Sequence, residues 1–101
     1  IILMDRVELN NLFDLYESLL TKREKEIFKY YYQDDYSLGE IAENLDISRT
    51  AVHNAIKNVT EKLTEYEEKL KLLQKQTILK EVINLEDITK IKQQITSILD
   101  M

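Results

Sequence analysis

Apolar residues recur at three- and four-residue intervals along most of this chain, and polar residues fill the gaps. Leu9, Leu12, Phe13, Tyr16, Leu19 and Leu20, separated by Asn10, Asn11, Asp14 and Glu17, predict an amphipathic helix from about Arg6 to Leu19. Thr21 with Glu24 three residues on forms a capping box for a second helix, whose apolar positions are Ile27, Phe28 and Tyr31. Gln33, Asp34 and Asp35 make a polar loop. Ser37 and Glu40 then repeat the capping-box arrangement, so a third helix begins at about Leu38 with Ile41, Ala42 and Leu45 on one face. Asp46 and Ile47 interrupt it, and Ser48 offers the next N-cap. From there Val52, Ile56, Val59, Leu63, Tyr66, Leu70 and Leu73 step by fours and threes, a heptad seam unbroken by Pro or Gly. One helix from Arg49 to about Gln76 is predicted, about 40 Å long at 1.5 Å per residue. Thr77 to Ile83 reads equally as a helical turn or as a connection. Asn84, with Asp87 three residues later, is the expected cap of a last helix striped by Ile88, Ile91, Ile95, Ile98 and Leu99.

The stretch from Asp35 to Leu63 is the centre of this pattern. Two short-linked helices, capped at both starts, with small Ala42 where backbones must approach closely and apolar Ile47 in the turn, describe a helix-turn-helix. A compact helical hairpin with no ligand would share part of the pattern. The outward face argues for more. Ser48, Arg49, Thr50, His53, Asn54 and Lys57 lie opposite Val52 and Ile56, and they are side chains of the kind that hydrogen-bond to base edges and phosphates.

Composition supports an all-α chain: no Pro, one Gly (Gly39) and many charged helix formers. With 101 residues it makes one compact unit, divided here into a helix-turn-helix core over residues 1–63, winged-helix-like in kind, and a helical extension over 64–101. Cysteine is absent and His53 is the single histidine, so disulfides, thiolate metal sites and histidine clusters are excluded. No nucleophile-base pair, phosphate-cradling Gly-rich loop or metal-ligand set is present; an enzyme is not expected, nor a cofactor. Ile1 to Leu3 are too short for a signal or a membrane span, and a soluble, cytoplasmic protein is expected.

The formal charge of −5 runs against simple nucleic-acid binding. Within Ser48 to Leu63, however, Arg49, Lys57 and Lys62 outweigh Glu61, so positive potential is local and weak. Tyr30, Tyr31, Tyr32 and Tyr36 could form a stacking platform for single-stranded nucleic acid. The better reading is packing, with Tyr31 and Tyr36 in the core or against the hairpin. Glu65, Glu67, Glu68, Lys69 and Lys71 read as solvated helix surface.

These residues carry a resemblance. The run LLTKREKEIFKYYYQDDYSLGEIAENLDISRTAVHNAIKNV resembles region 4 of the bacterial sigma-70 factors, which reads the promoter −35 element. NNLFDLYESLLT, DDYSLGEIAE, SRTAVHNAIK and YEEKLKLL are similar, within that superfamily, to the small YlxM-type proteins encoded beside signal recognition particle genes. The resemblance implies a sigma-region-4-like helix-turn-helix with a long recognition helix and a C-terminal helical extension. It also implies a DNA-binding regulator, or an accessory of the signal recognition particle that docks on its RNA or its GTPase. Ser48, Arg49, Thr50, His53, Asn54 and Lys57 fall where sigma-type proteins contact DNA. One departure is Asp46, where many such turns carry Gly. The seam beyond Leu63, together with the last helix, offers more apolar face than a slender monomer covers, which predicts a homodimer unless the last helix folds back on its own chain.

Overall fold

In the computed structural model, residues 5–101 are described, and they form six α-helices without a strand among them. The fold is all-α, and among the described residues no β-wing accompanies the helix-turn-helix. The expectations for Ile1 to Leu3 lie outside the described residues.

Helix α1 (Arg6–Tyr16) starts at Asp5, whose carboxylate accepts from the Glu8 N–H, and buries Leu9, Leu12, Phe13 and Tyr16. It is shorter than the pattern predicted: Glu17–Leu19 tighten into a 3-10 turn, Leu19 turns half outward, and Leu20 takes the core position. Helix α2 (Lys22–Phe28) carries the expected capping box, with Glu24 N–H donating to the Thr21 hydroxyl and Thr21 N–H donating to the Glu24 carboxylate.

Lys29–Gln33 then widen into a π-helical turn. A π turn holds more residues than an α turn, so it rotates Tyr32, not Tyr31, into line with Phe28. Tyr32 is accordingly buried, and Tyr31 sits half-buried against its edge at 4.9 Å between ring centroids. Phe13 stacks on Phe28 at 4.3 Å, and Tyr30 stacks on Tyr36 at 5.0 Å. These rings face one another, which is packing and not an open platform for bases.

Helix α3 (Leu38–Leu45) and helix α4 (Arg49–Leu70) follow. The core is arranged around α4: Val52, Ile56, Val59 and Leu63 are buried against Leu9, Leu12 and Phe13 of α1, Ile27 and Phe28 of α2, and Ile41 and Ala42 of α3. Burying a side chain of this size contributes about 1.5–3 kcal/mol, so this cluster is the main source of stability. Lys62 pairs with Glu24 at 2.7 Å and ties α4 to α2.

The long helix stops at Leu70, six residues before the predicted end, although no Pro or Gly marks the place. Lys71 adopts the left-handed conformation (φ 55°), and its N–H closes back on the Glu67 carbonyl. The next N–H, that of Leu72, finds the Tyr16 hydroxyl at 3.1 Å. The Glu67 carboxylate takes the Leu73 and Gln74 N–H groups at 3.0 and 3.2 Å. Glu67 is therefore a cap for the helix that follows, not solvated surface.

That helix, α5 (Leu72–Ile83), absorbs Thr77 to Ile83 and sends Leu73 back onto the core. Asn84 closes α5, and Asp87, not Asn84, caps helix α6 (Ile88–Leu99) by accepting from Thr89 and Lys90 N–H. The reason is spacing: Leu85 to Asp87 are not helical, so only Asp87 reaches the first free N–H groups. Helix α6 packs on α5, giving a hairpin at the end of a molecule 57 × 23 × 22 Å in extent. The predicted seam thus divides. Leu63 is in the core, Leu73 packs against it, and Leu70 is left exposed.

Candidate nucleic-acid interface

Three residues join α3 to α4, and each has a definite task. Asp46 is left-handed (φ 55°), with its N–H turned to the Glu43 carbonyl, and Ile47 N–H donates to the Ala42 carbonyl at 3.1 Å. This is the Schellman pattern, with Ile47 half-buried as the apolar residue after the cap. Asp therefore does what Gly does more cheaply, since a left-handed L-residue costs about 1–2 kcal/mol and Asp somewhat less. Ser48 then caps α4, its hydroxyl oxygen accepting from Ala51 N–H at 3.0 Å. Ala42, nearly buried, is the small residue at the α3–α4 contact.

The first turns of α4 consequently stand clear of the core on one side. Ser48, Arg49, Thr50, Asn54 and Lys57 are exposed, His53 is half-buried, and Val52 and Ile56 are buried. At 100° per residue Thr50, His53, Asn54 and Lys57 share one side of α4, whereas Arg49 falls on the stripe of Ile56 and lies over α3, and Ser48 is the N-cap. Ser48 is partly committed, because capping uses its oxygen, yet its O–H remains free to donate. Lys57 is only loosely held, 4.0 Å from Glu61 one turn further on. The Arg49 side chain crosses Gly39, with its Nε 3.9 Å from where a Cβ on Gly39 would stand.

An open groove of about 570 Å³ runs beside the turn, lined by Gly39, Ala42, Glu43, Asp46, Ile47, Ser48 and Arg49. Its two carboxylates, Glu43 and Asp46, sit on the α3 side and Arg49 on the α4 side. Spacing along the chain does not place Glu43 in this acidic flank; that follows from the turn that brings α3 and α4 together. No group of His, Asp or Glu able to hold a metal occurs among the described residues, and no helix among them is long and apolar enough to cross a membrane.

A supporting helix, a three-residue turn and a second helix with a free polar face define a helix-turn-helix protein. The family model "Putative helix-turn-helix protein, YlxM / p13 like" (UPF0122) matches residues 3–100, and the chain belongs to that family. It is 45% identical over 96 residues to the UPF0122 protein YlxM of Bacillus subtilis, covering 91% of this chain and 87% of that protein. A UPF0122 protein of Halalkalibacterium halodurans is 54% identical over 69 residues, 68% of this chain and 63% of its own length. One from Bacillus cereus is 57% identical over 67 residues, 66% of this chain and 61% of its own length. The chain therefore matches less than two thirds of the length of these last two relatives.

Proposed function

We propose that this protein is a nucleic-acid-binding regulator whose α4 N-terminal half enters the major groove of DNA, in the setting of the signal recognition particle pathway. One observation carries the reading. From Ile47 to Thr60 there is no acidic residue, in a chain with 19 of them, and this acid-free stretch covers the turn and the first part of α4, including its exposed side chains Arg49, Thr50, Asn54 and Lys57. Arg49 and Thr50 stand in its first turn, the position from which recognition helices reach base edges. Asn54 and Lys57 follow one and two turns on, with His53 at the margin.

The same face sets the strength of binding. Arg49 and Lys57 are its cations, so the logarithm of affinity falls with the logarithm of salt at a slope of roughly −1 per copy when Lys57 alone meets phosphate and roughly −2 when Arg49 does so too. Such weak electrostatics calls for two copies on one duplex, which would double the slope.

The second reading is a protein accessory of the signal recognition particle, docking on its GTPase or its RNA. The net charge of −5 and the carboxylates Glu43 and Asp46 beside the turn favour it. Titration of the purified protein against random duplex DNA, particle RNA and particle GTPase over a salt series separates the two. Salt-sensitive binding to duplex supports the regulator. A salt-insensitive complex with the GTPase alone overturns it.

A further inference from the structure

The hairpin α5–α6 has no interior of its own. Neither helix buries a single side chain, and at 12 residues each is too short to be stable in water without a partner. Its aliphatic residues fall into two sets. Ile78, Val82 and Leu85, with Ile91 and Ile98, are half-buried, and because α5 and α6 pack on each other we assign them to the sides the two helices turn together. Leu72, Leu79 and Ile83 on α5, and Ile88, Ile95 and Leu99 on α6, are between 40% and 80% exposed.

The second set has a geometry that the exposures alone do not reveal. On both helices the three residues are spaced by seven and then four, so each trio forms a straight stripe. At 100° per residue both stripes are rotated in the same sense from the line of contact between the helices, by roughly 120° on α5 and roughly 60° on α6. The connection over 84–87 is short, so the pair is antiparallel. An antiparallel pair has a pseudo-twofold axis across it, and that axis carries equal-sense rotations to the same side. The two stripes therefore make one face of six aliphatic side chains.

We infer that this face is the surface on which a second copy of the chain docks, two hairpins closing into an antiparallel four-helix bundle. Two 12-residue helices side by side span on the order of 400 Å² in projection, an upper bound that falls in the size range of the largest, often functional, apolar patches of monomers. The charge pattern selects the occupant. Over residues 72–101 four lysines balance four carboxylates, so the whole net charge of −5 lies on the rest of the chain. Two hairpins meet without net repulsion, whereas an anionic membrane or a nucleic acid gains nothing from this face. What fits is a neutral, aliphatic, helical surface of the same length, and the hairpin itself is one.

The inference stands apart from the ligand of α4. A dimer indifferent to nucleic acid overturns only the proposed function, and a DNA-binding monomer overturns only the dimer. Sedimentation equilibrium of the full chain tests it, with Leu79→Glu and Ile95→Glu on the face and Val7→Glu, 70% exposed on α1, as control. Expected are a wild-type and Val7→Glu dimer at micromolar concentration, and at least a hundred-fold weaker association for the two face variants at unchanged helical circular dichroism. Leu79→Gln and Ile95→Gln give the same ranking without an added charge. A wild-type monomer, a dimer that survives both face substitutions, or a monomer that binds phosphatidylcholine vesicles through the face would each overturn the proposal.

Discussion

The hydroxyl of Tyr16 donates to the carboxylate of Glu67 at 2.6 Å, joining residues 51 positions apart in the chain. The same hydroxyl accepts the Leu72 N–H, and the same carboxylate holds those of Leu73 and Gln74. One pair of side chains thus ends α4, starts α5 and fastens the C-terminal hairpin to α1.

Tyr16→Phe should loosen that fastening without emptying the core. It strands the Leu72 N–H and removes a charge-assisted hydrogen bond, at a cost of about 1–3 kcal/mol. Amide exchange at residues 72–74 should quicken more than exchange at Val52 to Leu63. Equal quickening at both places would mean that the ring, and not the hydroxyl, matters.

Alkaline pH should act through the same group. Burial, and then the hydrogen bond to Glu67, push the Tyr16 hydroxyl up from 10.0 to about 12, against the opposing effect of the Leu72 N–H. The raised value means that folding favours the protonated phenol. That stability is complete below pH 10 and is lost as pH rises toward 12. Burial also raises Tyr32, so thermal melts should show a smaller alkaline loss in Tyr16→Phe than in the wild type, not its disappearance.

Tyr32→Phe should behave in the opposite way to Tyr16→Phe. The Tyr32 hydroxyl is buried without a well-formed hydrogen bond; the Thr60 hydroxyl lies close enough to act on it but already donates to the Ile56 carbonyl. Removing it deletes an unmet polar group while the ring keeps its contact with Phe28 at 4.8 Å. Stability should stay level or rise, by up to about 1 kcal/mol. A clear fall in Tm would show that the hydroxyl bonds to Thr60 in solution.

These two tyrosines also mark how far the sequence could be read. The capping boxes at Thr21 and Ser37 and the Ser48 cap were legible because each is a local pattern of residues that touch one another. The exposure of Thr50, Asn54 and Lys57 was legible too, because the burial of Val52 and Ile56 turns that side of α4 away from the core; the lie of Arg49 over Gly39 was not. The π turn at Lys29–Gln33 was not, since a one-residue change of helical pitch leaves no local mark, and it exchanged Tyr31 for Tyr32 in the core. The break at Lys71 was hidden for a stronger reason: its causes, Tyr16 and Glu67, are far apart in sequence. Of the acidic flank beside Arg49, Asp46 was legible from its place in the turn, whereas Glu43 depends on the α3–α4 crossing.

Asp46→Gly tests that flank. At φ 55° Gly is unstrained, and relief of the left-handed penalty outweighs the added freedom of the unfolded chain by at most about 1 kcal/mol. The substitution also removes a carboxylate from the groove that Arg49 borders. Stability should rise slightly, and affinity for duplex DNA should rise with it, most at low salt. A gain in stability with no gain in affinity would place the groove outside the DNA contact.

Arg49→Ala tests the recognition helix itself. Arg49 is exposed in the first turn of α4, and no carboxylate is paired with it among the ion pairs of the described residues. Its planar fork is therefore free to take the two acceptors of a guanine edge, a contact that discriminates against the wrong base by about 1–3 kcal/mol. Lys57, two turns on, is a point charge better suited to phosphate. The two variants should fail differently. Arg49→Ala should weaken the preferred sequence more than random duplex, and Lys57→Ala should weaken both alike while reducing the salt slope by about 1. Competition binding on selected and random duplexes distinguishes these patterns. Equal losses in Arg49→Ala would make it a second phosphate contact, and no loss in either variant would remove DNA as the ligand of α4.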